Sequence, residues 1–113
     1  MGMWNFEAWE NDSAADWFGE LMDGSEIRSR WLAGLNNDPE EEHEVVRAAV
    51  WLFAQLGRVY IWPIEKYGED LEAAVKAGER LVAVEWLREE APEYIEKLEA
   101  DLEQIKARRK GDE

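Results

Sequence analysis

The chain has 113 residues and a mass of 13.2 kDa, most simply read as one domain around one core. It has no cysteine, which excludes a disulfide scaffold, thiolate metal sites and thiol catalysis. Acids outnumber bases 27 to 13, giving a net charge of −14 that repels nucleic acid and anionic membranes, while a hydrophobic content of 46% suffices for a folded chain.

Glycine and proline punctuate a sequence that otherwise reads at helical period. Before the first helix lies an aromatic segment, residues 1–10, with Trp4, Phe6 and Trp9; it is expected to fold back as a lid or to meet a partner. The first helix starts in Asn11-Asp12-Ser13, all good N-cap types. It shows Ala14, Trp17, Phe18 and Leu21 on one face and stops at Gly24. Ser25 caps a second helix carrying Ile27, Trp31, Leu32 and Leu35, ended by Asn36-Asn37.

Asp38-Pro39 is expected to open a third helix, with Glu40, Glu41 and Glu42 in its first turn, where the helix dipole favours acids. From Val45 to Leu56 that helix is apolar on nearly every side, as in the centre of a bundle, and Gly57 closes it. Val59-Tyr60-Ile61-Trp62 is β-like in content but has no partner strand, so residues 58–63 read as an extended connector whose aromatics pack on the bundle. A fourth helix follows Trp62-Pro63, clear from Glu69, with Leu71, Val75, Gly78, Val82 and Trp86 on one face; the mid-helix Gly78 suggests a close helix crossing. Pro92 restarts or kinks the chain. Ala91, Ile95, Leu98, Leu102 and Ile105 then form a heptad seam, suited to an intramolecular contact or to a dimer. Residues 106–113 read as a charged tail. Trp17, Trp51 and Trp86 fall at helical core positions and are expected to be packing.

The basic start of a secretion signal is missing, because no Lys or Arg occurs in residues 1–27. The apolar run 45–62 is broken by Arg47, Gln55 and Arg58, too short a stretch to span a membrane. A cytoplasmic location is expected.

The first acidic feature is uncompensated. Glu7, Glu10, Asp12, Asp16, Glu20, Asp23 and Glu26 meet no base, and Asp12, Asp16 and Glu20 repeat at i, i+4, i+8 on one helix face. Like charges at that spacing repel by a few tenths of a kcal/mol per pair. The face is either solvated or kept for a basic partner. A second acidic candidate is Glu40, Glu41 and Glu44. Beside it stands His43, the sole histidine and a weak metal candidate; a metal would want further ligands, and no Glu-x-x-His pair recurs. Ser13, Ser25 and Ser29 have no nucleophile-elbow context, and the glycines form no phosphate-cradling loop. No cofactor is expected.

Gly2, Trp4, Glu10, Asn11, Asp12, Ala14 and Asp16, with Trp9 and Trp17 in aromatic places, resemble a bacterial domain-of-unknown-function family, number 4259, whose members begin Met-Gly-x-Trp and continue Glu-Asn-Asp-x-Ala-x-Asp-aromatic. Asn5 and Glu7 depart from it where glycine is common. The resemblance is specific over the first 18 residues or so. It implies no activity, and small acidic members of such families look like immunity proteins that neutralise a toxin.

The sequence therefore leads to a single all-α domain, a bundle of about five helices. Its expected role is that of a non-enzymatic module whose Asp12, Asp16, Glu20 and Asp23, with Glu40, Glu41 and Glu44 as a second patch, bind a basic protein such as a toxin or nuclease. The alternatives are a metal-binding or hydrolytic protein using His43 with nearby carboxylates, and a structural homodimer; the expected state is a monomer or weak homodimer.

Overall fold

A computed structural model describes residues 12–23, 26–59 and 61–111. Within them the chain forms six α-helices and no strand: α1 (Asp12–Asp23), α2 (Ile27–Leu35), α3 (His43–Leu56), α4 (Tyr67–Val82), α5 (Glu85–Glu90) and α6 (Pro92–Gly111), with a 3-10 turn at Ile64–Lys66. The aromatic segment with Trp4, Phe6 and Trp9, the Gly24 stop, the Ser25 cap and Tyr60 lie outside the described residues.

The centre is a triangle of α3, α4 and α6, with α2 laid on α3 and α4, and α5 bridging α4 and α6. The pairs His43–Tyr94, Arg47–Asp101 and Ala54–Arg108 advance together along both helices, so α3 and α6 run parallel. The heptad seam is spent on this core: Ile95, Leu98, Leu102 and Ile105 are buried, and Ala91 packs against them. Gly78 is buried where α4 crosses α6; a Cβ there would lie 2.5 Å from Leu102 Cδ2. At the α2 side, Trp31, Phe53, Trp62 and Tyr67 form an aromatic cluster with ring centroids 4.8 to 6.0 Å apart. The Trp31 indole N–H donates to the Ala49 carbonyl at 2.8 Å, so the largest side chain of α2 is buried with its polar atom satisfied.

Several expectations are corrected. The third helix begins at His43, not Pro39: Asp38 Oδ1 accepts the Glu40 N–H at 2.9 Å in an Asx-turn, and this local bond competes with helix formation. The expected extended connector at 58–63 turns back on itself instead, because the Arg58 carbonyl accepts both the Ile61 and Trp62 N–H groups at 2.9 Å. Trp62 nevertheless packs on the bundle, being 2% exposed. The fourth helix starts at Tyr67 and ends at Val82, where Val84 turns extended (ψ 107°), so Trp86 belongs to the separate α5. Trp17, Trp51 and Trp86 are not core: they are 59%, 49% and 38% exposed. α1 buries Met22 instead, and the buried stripe of α3 is Val46, Ala49, Val50, Phe53 and Ala54. Residues 106–111 continue α6 rather than forming a tail.

Two arginines explain how helix ends survive inside this fold. Arg108 is half-buried and donates to the Phe53, Ala54 and Gly57 carbonyls at 3.1, 2.6 and 3.0 Å, capping α3 from 51 to 55 residues away. Burial pushes this guanidinium below its ordinary value, and neighbouring Arg58 pushes it further. Arg80 of α4 likewise donates to the Leu35 carbonyl at the end of α2, at 3.1 Å. Both supply a cation to the negative end of a helix dipole.

Candidate functional site

Helical geometry places Asp16, Glu20 and Asp23, at steps of four and three, along one side of α1. All three are exposed. They form one wall of a cleft of about 480 Å³ whose other wall is the turn after α3, with Val59, Trp62, Ile64 and Glu65. Gly19 leaves the space between the carboxylates open, since a Cβ there would meet nothing within 4 Å. Val59 and Ile64, 40% and 62% exposed, put apolar ground among the acids. The cleft lining thus carries four carboxylates and no base.

Its rigid wall is Trp62, and a buried carboxylate holds it. The Trp62 indole N–H donates to Asp70 Oδ2 at 2.8 Å. Arg28 of α2 grips the same carboxylate in a bidentate pair, Nε to Oδ2 at 2.6 Å and Nη2 to Oδ1 at 2.8 Å. Asp70 is fully buried, and that hydrogen bond to Asp70 holds Arg28 above its ordinary value. The triad ties α2, the turn and α4 together behind the cleft.

The electrostatics of the surface follow from where the bases go. Arg28 pairs with Asp70, Arg47 with Asp101, Lys106 with Glu79, Arg109 with Glu72 and Arg30 with Glu26, while Arg80 and Arg108 serve backbone carbonyls. Among the described residues, no ion pair reaches Asp16, Glu20, Asp23 or Glu65. The side chain of Asp12, the first carboxylate of the expected stripe, lies outside the described residues.

The second acidic candidate is not brought to the first. Glu40 and Glu41 are exposed in the turn before α3 and Glu44 in its first turn. The cleft forms beyond the other end of α3, about 20 Å away along a helix of 14 residues at 1.5 Å each. Glu44 borders a different groove, with Arg47, Ala48, Trp51, Tyr94 and Lys97. His43 is half-buried: its Nδ1 lies 3.3 Å from the Tyr94 hydroxyl, and its ring stands edge-on to Trp86 and Tyr94. Burial raises the Tyr94 hydroxyl above its usual range, with Arg47 opposing and Glu44 adding to the shift. Among the described residues no three His, Asp or Glu side chains converge to hold a metal ion. The pieces that sequence reasoning missed are Asp70, one acid among 27 with no distinguishing spacing, and the apolar contribution of Val59 and Ile64, which the β-like composition of 59–62 only hinted at.

The described helices include none long and apolar enough to cross a membrane. Set against family models, curated proteins and solved structures, the chain matches none.

Proposed function

We propose that this chain is a non-enzymatic, cytoplasmic binding module that receives a basic protein on the cleft beside α1, in the manner of an immunity protein that neutralises a toxin or nuclease. The observation that carries this reading is the cleft lining itself: Asp16, Glu20, Asp23 and Glu65 without a base, set around exposed Val59 and Ile64. Lysine or arginine side chains of a partner supply the missing charge, and the apolar ground supplies contact area that water would otherwise cover. Against a nuclease, the carboxylates compete for the cationic groove that holds phosphate. The net charge of −14 speeds the encounter by steering. Glu40, Glu41 and Glu44 add to that field from the far end of α3 without belonging to the same cleft. The likeness of the N-terminal residues to the family of unknown function brings the same expectation.

The test is affinity capture of basic proteins from the source cell at low and at high salt, followed by binding of the captured partner to Asp16→Lys/Glu20→Lys. The expected result is a stoichiometric basic protein whose affinity falls at least a hundredfold in the double variant and falls with salt in the wild type. A partner that binds the double variant undiminished at low salt refutes the electrostatic reading.

A further inference from the structure

The cleft beside α1 has a geometry that selects the shape of its occupant as well as its charge. Asp16, Glu20 and Asp23 follow one another at about 6 and 4.5 Å along the axis of α1, within about 60° of its circumference. The turn opposite presents Val59 and Ile64, both exposed, together with Glu65. Gly19 stands beside the acid row, and a Cβ there would meet nothing within 4 Å, so the helix backbone itself is open to close approach. Among the described side chains of α1, Met22 alone is buried, so the bundle covers one edge of this helix and leaves the acid row open.

The charge of the lining is not offset. Among the described residues no ion pair reaches the four carboxylates. The bases nearest in sequence, Arg58 and Lys66, are not part of the lining, and Arg58 Nε donates to the Gln55 carbonyl at 3.2 Å. Resting on the reading that this cleft takes a basic partner, we infer that the occupant is an amphipathic α-helix of that partner, lying along α1. Its basic flank faces Asp16, Glu20 and Asp23, and its aliphatic stripe lies on Val59 and Ile64. A helix repeats its own side chains at i, i+4 and i+7 with the same rise, so three bases on it stay in step with the three acids. An extended segment repeats every second residue, about 6.6 Å, so its third base lies about 13 Å along and overshoots Asp23, which is about 10.5 Å from Asp16. A polycation without aliphatic side chains meets the acids but leaves Val59 and Ile64 in water. The bases of the partner helix also relieve the repulsion among the three α1 carboxylates.

The probe is the blocked peptide N-acetyl-(Leu-Lys-Ala-Leu-Lys-Ala-Lys)2-amide, titrated calorimetrically into the full chain at low salt. Two controls keep its charge: one has serine for every leucine, the other has proline for two central alanines. The parent peptide is expected to bind at least tenfold more tightly than either control and to gain helical circular dichroism on binding. Glu20→Lys and Ile64→Ser, both at exposed positions, each lower its affinity at least tenfold. So does Gly19→Leu, which fills the cleft while raising helix propensity. Glu89→Lys/Glu90→Lys makes a larger charge change on α5, beside the opposite end of α3, and leaves the affinity within twofold. Equal affinity for the serine or the proline peptide overturns the amphipathic helix and leaves the basic-partner reading standing. Absence of saturable binding by all three peptides, or binding that Glu20→Lys leaves unchanged, overturns the inference and the basic-partner reading together.

Discussion

Asp70 offers the sharpest test of the structure, because a fully buried carboxylate with three donors has no neutral substitute. Asp70→Asn keeps the shape but replaces one acceptor oxygen with an amide that points two N–H donors at Arg28 or Trp62. Breaking one partner of a buried ion pair costs about 3–5 kcal/mol. Arg28 retains 26% side-chain exposure and regains some water when released, which places the expected cost at the lower end, about 3 kcal/mol. For a domain of this size that loss lowers Tm by about 12 °C. The assay is urea unfolding followed by far-UV circular dichroism, on the wild type, Asp70→Asn, Arg28→Met and the double variant. The double variant leaves the asparagine oxygen free to accept from Trp62 and removes the stranded cation. It is expected to be more stable than the sum of the single losses, with a coupling of about 1.5 kcal/mol or more. An Asp70→Asn variant within about 1 kcal/mol of wild type, or additive single variants, would refute the account of a desolvated triad.

Three further outcomes follow from the same geometry. Gly78→Ala gains about 1 kcal/mol of helix propensity but forces Leu102, buried and approached at 2.5, 3.0 and 3.1 Å, to move as a whole; net destabilisation of about 1 kcal/mol in urea unfolding is expected, reduced when Leu102→Val is added. Arg108→Met keeps the aliphatic stem and removes the cap, leaving the Phe53, Ala54 and Gly57 carbonyls without that donor. It should cost about 2 kcal/mol and accelerate amide hydrogen exchange in the last turn of α3, and unchanged exchange there would contradict the capping role. The hydrogen bond from Arg109 holds the Glu72 carboxylate below its ordinary value, so the pair stabilises above the ordinary glutamate range and loses its contribution as pH falls through the folded value. Glu72→Gln is therefore expected to flatten the acid side of the stability–pH curve slightly, an effect that vanishes in high salt because the pair is exposed.

The fold was legible where the sequence punctuates itself and obscure where it does not. Asn36-Asn37, Gly57 and Pro92 mark helix ends that the structure keeps. Gly78 announced a close crossing, and the seam through Ile95, Leu98, Leu102 and Ile105 announced the buried face of α6. The tryptophans went wrong in phase rather than in period. α3 is apolar on most sides, so its pattern does not say which side is inside. Its buried stripe centres near Phe53 and Val50, and Trp51 stands about 130° round the helix from it. In α1 the apolar positions 17, 18, 21 and 22 allow two faces; the core takes Met22, and Trp17 and Leu21 face out. A bundle has room for one stripe per outer helix, and the surplus aromatic positions become surface.

The charge imbalance has a structural side as well. The chain has 13 bases for 27 acids, and it spends several of those bases on holding the bundle together. Arg28 is drawn inward to Asp70, and Arg47 to Asp101 on the flank of α3. Among the described residues Arg80 and Arg108 enter no ion pair, and their donors go to helix-terminal carbonyls. Each such assignment strengthens the core's connections and leaves exposed acids unanswered, most completely in the cleft of Asp16, Glu20, Asp23 and Glu65. The acidic field is thus an outcome of how the bundle is held together as well as of composition.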